Sequence, residues 1–189
     1  MKLGEIYTQF INEETDNLFY HGSPYNFNKF DFDRIGSGDG LSKFGYGLYF
    51  TDTKELAEYY AKELSIGEHR KTGYNLYTVK LYNLNEFYPW EEELPHHIAD
   101  CVMRKLDKIG KSDDAELMRN EYEEYGQMWT TRSTYEILTH SLGGGKNTSE
   151  FLNLCGLSGV IAESIIMKGN IYVTYDDDNI KILDINKLV

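Results

Sequence analysis

The chain has 189 residues, enough for one domain with a full apolar core. Its formal net charge of −12 at pH 7 argues against the broad cationic surface that nucleic-acid binding demands, and no stretch approaches the roughly 18 apolar residues of a membrane span. The composition is that of a folded protein. Its unusual feature is 16 tyrosines, a residue that brings a flat apolar face and a polar tip to clefts and cores alike.

The opening "MKLGEIYTQF" lacks the long apolar segment of a secretory signal, so a soluble, cytoplasmic protein is expected. "LGEIYTQFINEET" (Leu3 to Thr15) reads as a short amphipathic helix. "LFY" (Leu18 to Tyr20) reads as a strand that runs into His21-Gly22-Ser23. In the polar loop that follows, Phe27, Phe30 and Phe32 alternate, which predicts a ribbon against the core or a binding loop. "GSGDG" (Gly36 to Gly40) is glycine-rich but lacks the spacing of a phosphate cradle.

"GYGLYFTD" (Gly45 to Asp52) places two glycines directly before an aromatic strand. Glycine there marks either a tight turn or a close approach by backbone or ligand. Strand periodicity sends Tyr49 and Phe50 to opposite faces. Asp52 fits a helix N-cap, with Glu55 as its capping-box partner. The next helix carries Leu56, Tyr60 and Leu64 on one face, with Ala57 and Ala61 beside them, and Gly67 ends it. "YNLYTVKLY" (Tyr74 to Tyr82) is an alternating strand.

From about 91 to 142 the pattern is helical, with Pro95 at a helix start and Gly110 at a stop. "GGGK" (Gly143 to Lys146) is a break, and "TSEFLNLCG" a short helix closed by Gly156. "GVIAESI", "IYVTYD" and "NIKIL" are strands. Strand-rich ends around a helical middle predict a single α+β domain over residues 1–189 with a helical insertion at about 91–142. Cys101 and Cys155 lack zinc-site spacing, and a disulfide between them stays open. His96-His97 are adjacent, with no third ligand at metal-site spacing, so no metal is expected.

Three pieces carry the functional reading: "YHGS" (Tyr20 to Ser23), "GYGLYFTDTKELAEYYA" (Gly45 to Ala61) and "IYVTYDDDNIKIL" (Ile171 to Leu183). Their order resembles the ADP-ribosyltransferase superfamily, in its diphtheria-toxin and poly(ADP-ribose) polymerase-like branch. Small phage and polyvalent-protein members look similar, with a segment before the last strands like "EFLNLCGLSG" here. The resemblance spans roughly residues 18–82 and 148–184, leaving the helical middle outside it.

The resemblance implies a split β-sheet around one NAD cleft. In it His21 would bond the ribose on the nicotinamide side. Gly22 would offer its backbone to the carboxamide, with Ser23 beside it. Gly45 and Gly47 would let the strand bend around the cofactor, Tyr49 would pack on the nicotinamide, and Phe50 would turn to the core. Tyr60 would stack on the other face of the ring. Ala57 stands where the polymerase-like members carry a serine. Ile171 stands where polymer-forming relatives carry a glutamate. That departure turns the expectation from chain elongation to mono-ADP-ribosylation with a carboxylate from elsewhere, Glu163 first, then Asp176 and Asp177. Since NAD is anionic, Arg34, Lys43 and the "GSGDG" amides are further candidates for the pyrophosphate, with an ordinary surface role as the alternative for each.

Glycosyl transfer from NAD breaks a bond with oxocarbenium character. The protein's task is then to clamp the ring and steady positive charge. The implied catalytic set is His21, Tyr49 and Glu163. The implied activity is transfer to a macromolecular acceptor, with the acidic surface favouring a protein. Its implied setting is a phage or mobile-element effector in the host cytoplasm. Two alternatives stay open, an NAD glycohydrolase with water as acceptor, and an inactive module that binds NAD or ADP-ribose.

Overall fold

A computed structural model describes residues 18–35, 43–65, 73–125 and 129–188. The expected helix at Leu3 to Thr15, the "GSGDG" segment and the Gly67 stop lie outside them. In chain order the described residues form β1 (Phe19–Ser23), β2 (Leu48–Thr51), α1 (Lys54–Ser65), β3 (Tyr74–Leu81) and β4 (Phe87–Pro89). Then come α2 (His96–Lys108), α3 (Ser112–Tyr125), α4 (Thr131–Leu142) and α5 (Gly145–Asn153), and finally β5 (Gly159–Glu163), β6 (Asn170–Thr174) and β7 (Ile180–Leu188). Short 3-10 turns cover Phe32–Arg34 and Leu84–Glu86.

The strands make one open mixed sheet in the order β4-β5-β6-β2-β1-β3-β7. Neighbours run antiparallel except β4 and β5, which are parallel. The α+β architecture expected from the sequence is therefore present, and α2 to α4 fall within the helical stretch, about 91–142, expected as an insertion. The sheet is hydrogen-bonded throughout, but one junction is thin. β1 pairs with β2 only at Tyr20↔Thr51, although β1 continues to Ser23 and β2 begins at Leu48.

Residues directly opposite across antiparallel strands share a face. Thr51, Ile171 and Ala162 therefore share one face with Tyr49, Val173 and Val160. This face meets the helices. A single core joins Val160, Ala162, Ile171 and Val173 to Leu56 of α1, Val102 and Leu106 of α2, Ala115 of α3, Leu138 of α4 and Leu152 of α5. In α2 the buried residues Ile98, Ala99, Val102 and Leu106 recur at helical spacing, the stripe an amphipathic helix turns inward. The insertion thus shares the core of the sheet.

The opposite face carries Phe19, Phe50, Tyr77, Val79, Ile161 and Tyr172, roofed by Phe27 and Phe30. The alternating phenylalanines are the ribbon against the core. Phe27 stacks on Tyr77 at 4.3 Å, while Phe32 turns away to meet Tyr46 edge-on at 5.2 Å.

Three local expectations change. His21, Gly22 and Ser23 belong to β1 itself, because β3 pairs along its whole length, from Phe19↔Val79 to Ser23↔Asn75. Asp52 does not cap α1. Its carboxylate accepts from the Asn170 amide at 2.8 Å and from Asn170 Nδ2 at 2.7 Å, tying β2 to β6. The helix starts instead from Thr53, whose carbonyl accepts from Ala57 N–H at 3.4 Å. β4 was not anticipated. It is three residues long and ends in Pro89, so it offers no periodic run.

Candidate functional site

His21 and Tyr49 meet at the thin β1–β2 junction. The Nδ1–H of His21 donates to the Tyr49 carbonyl at 2.7 Å, where a further backbone rung would otherwise lie. A carbonyl only accepts, so this bond fixes the neutral tautomer with its proton on Nδ1. Nε2 is then an acceptor, with no hydrogen-bond partner among the described residues. Four aromatic rings surround the imidazole: Phe30 edge-on at 5.1 Å, Phe50 at 5.7 Å, Tyr77 at 6.0 Å and Phe27 at 6.2 Å. Burial among them lowers the His21 pKa, and the bond to Tyr49 only partly opposes this.

The expected residues divide between the two faces of the sheet. His21 and Phe50 lie on the aromatic-roofed face, with Phe50 buried beneath the imidazole. Gly22, Tyr49, Ala57, Tyr60 and Ile171 lie on the helix side. Tyr49 and Tyr60 both pack on the helix-side core; burial raises the Tyr49 pKa, the bond from Phe44 N–H opposes this, and the neighbouring Tyr135 and Tyr60 add to it. The Tyr49 hydroxyl is committed internally. It donates to Gly45 O at 2.7 Å and accepts from Phe44 N–H at 3.0 Å.

The glycines before β2 answer to protein packing. A Cβ on Gly45, whose φ is +94°, would stand 2.8 Å from the Tyr135 ring. A Cβ on Gly47 would stand 2.4 Å from Val173 Cγ1 and 2.8 Å from Thr174 O. Gly22 is closed in the same way. A Cβ there would lie 2.1 Å from Ala57 O and 2.5 Å from Ala61 Cβ. The small residues of α1 thus serve to seat the helix on Gly22, a reason for Ala57 that the expected loss of a serine contact did not contain. Bending around a cofactor is not needed to explain Gly45 or Gly47.

The candidate carboxylates part company. Glu163 ends β5 and is exposed, opposite Asn170. It stands three strand spacings of about 4.8 Å from β1, and two residues further along the sheet than the His21–Phe50–Tyr172–Ile161 row. It is not brought to His21. Asp177 reaches the loop that roofs His21, accepting from Phe32 N–H at 3.2 Å and pairing with Lys29 at 3.8 Å. Asp176 accepts from Asp178 N–H at 2.9 Å, an ordinary turn bond. Ile171 is buried in the core. Ser23 spends its hydroxyl on Tyr25 N–H at 3.1 Å. Arg34 pairs with Asp31 at 3.1 Å, and Lys43 lies over the Phe44 ring at 5.2 Å.

A second set of residues was invisible to motif reading. The Tyr135 hydroxyl accepts from Tyr46 N–H at 2.8 Å, lies 2.9 Å from Gly145 O as a donor, and is 3.1 Å from Ser149 Oγ. Ser149 Oγ donates to Tyr46 O at 2.6 Å. Two insertion-side helices, α4 and α5, therefore hold both backbone groups of Tyr46 at the centre of "GYG". The one available signal was the helical stripe that includes Thr131, Thr134, Tyr135 and Leu138, which marks Tyr135 as inward-facing but not what it holds.

No protein-family model, curated protein or solved structure matches this chain.

Proposed function

We propose that the chain binds NAD and acts as a mono-ADP-ribosyltransferase toward a macromolecular acceptor, of which a protein suits the acidic surface. The observation that carries the reading is the His21–Tyr49 bond at the thin junction. It sets an imidazole acceptor with no partner among the described residues beside a stretch of β1, His21 to Ser23, that has no ladder partner among them on its β2 side. Such an acceptor suits a ribose hydroxyl, and an unpaired strand edge suits a carboxamide. Tyr49 and Tyr60, on the helix side of that junction, would supply the aromatic surface for a flat ring, so the ligand would have to pass between the splayed ends of β1 and β2 from one face to the other. NAD would contribute the labile nicotinamide–ribose bond. The residues of the chain hold, orient and exclude water, and His21 stays neutral to accept.

A second reading has its own observation. Ile171 is buried in the core at the position where polymer-forming relatives place a glutamate, and Glu163 stands far from His21. That arrangement favours binding of NAD or ADP-ribose without turnover.

The test compares wild type with His21→Asn. The Asn amide keeps a donor for the Tyr49 carbonyl and lacks the acceptor at the Nε2 position. NAD labelled on its adenylate half is supplied in cell lysate and in buffer, and nicotinamide release, label transfer and NAD binding are measured. The transferase reading expects label on a macromolecule, lost in the folded variant. Free ADP-ribose alone would make the protein a glycohydrolase, and binding without release would support the second reading. No NAD binding by wild type would overturn both.

A further inference from the structure

We propose that β7 is a self-association edge through which two copies of the chain join their sheets in antiparallel register. Among the described residues β7 has a strand on one side only, β3, and its outer edge offers unpaired backbone groups over nine residues. Residues Leu183 to Lys187 are all exposed, including the apolar Leu183 at 46% and Ile185 at 37%. An exposed edge of this length is a template for another strand.

The side chains select a second copy as the occupant. Pairing with a two-fold axis between Ile182 and Leu183 sets Lys181 opposite the second copy's Asp184. Ile180 then meets Ile185. Moving the axis onto Asp184 would set Lys181 against Lys187 and Asp184 against itself, and an axis on Leu183 would bring none of these charges together. Opposite charges directly across a ladder favour a register, and like charges oppose it.

The bulge makes this register geometrically consistent. The β3–β7 ladder passes from Thr78↔Asp184 to Val79↔Ile182, leaving Leu183 as the extra residue. The extra residue shifts the alternation by one. Ile180 and Ile185 therefore share the face of their partners Leu81 and Tyr77, while Lys181 and Asp184 share the face of Lys80 and Thr78. In an unbulged strand, residues whose numbers differ by an odd count would point to opposite faces. Here the Ile180–Ile185 and Lys181–Asp184 pairs each lie on one face of a continuous two-copy sheet.

Sedimentation analysis over a range of protein concentrations tests the proposal, using wild type, Lys181→Asp, Asp184→Lys and the double variant. Both residues are exposed, and circular dichroism checks that each variant folds. Each single reversal places like charges at two symmetry-related contacts, and is expected to weaken the dimer by about tenfold. The double exchange restores opposite charges and is expected to recover wild-type association. A wild type monomeric up to high micromolar concentration, single variants that associate like wild type, or a double variant that fails to recover would each overturn the proposal. NAD plays no part in the measurement, so the result is independent of the NAD reading.

Discussion

A methyl group on Gly22 would have nowhere to go, because the nearest obstacle is the backbone oxygen of Ala57 and not a side chain that can rotate away. Gly22→Ala is therefore expected to destabilise the fold by about 3 kcal/mol, at the upper end of ordinary overpacking, as read from the urea midpoint. His21 makes a second prediction at this scale. Burial holds its folded pKa below the ordinary histidine value of about 6.5, so on acidification the unfolded chain takes up the proton first. The contribution of neutral His21 is thus complete above the unfolded pKa. It is lost as pH falls below about 6.5 and down through the lower folded pKa. Wild type should lose stability between pH 7.5 and pH 5 more steeply than His21→Asn, and equal slopes would show that this imidazole is not shielded.

The turn before β2 behaves as part of α4 and α5 as much as of the strand it introduces. Tyr135→Phe removes one hydroxyl and leaves the half-buried Tyr46 amide without it, at an expected cost of about 1–2 kcal/mol. If Tyr49 takes part in NAD binding, the same variant should also weaken NAD affinity, since the Tyr49 hydroxyl is anchored to Gly45 and Phe44 in that turn. Unchanged affinity in a destabilised Tyr135→Phe would separate the turn from the binding surface. The elements themselves were readable in the sequence. β2, β3 and α1 carry their periodicities openly, and the outcome for Tyr49 and Phe50, on opposite faces with Phe50 buried, follows from the strand period alone. What the elements hold was not readable. Tyr135 lies 89 positions from Tyr46, and the distribution of His21 and Tyr49 to opposite faces depends on a register that no local signal encodes. Asp52 shows the same limit, because a good capping residue found a stronger partner in Asn170, 118 positions away.

At the level of the molecule, the α+β class was legible because strands crowd the two ends of the chain and helices its middle. The insertion's share in the core was not, since hydrophobic stripes reveal that a helix is buried without saying against what. The described helices are also not of membrane-spanning length and hydropathy.

The pairing of β2 with β6 has a consequence for how the protein is made. Leu48 borders Thr174, and Thr51 borders Ile171, so the middle of the sheet waits for a strand made much later than β2. Long-range pairing of this kind is slow to form and leaves apolar edges open meanwhile. On the ribosome, β1, α1 and β3 emerge while the Tyr49–Phe50 strand still has no neighbour on its β6 side. Arrested nascent chains ending before Asn170 should accordingly remain protease-sensitive, and chains long enough for β6 and β7 to have left the ribosome should resist. Any activity seated on Tyr49 would begin only once β6 has been made and paired.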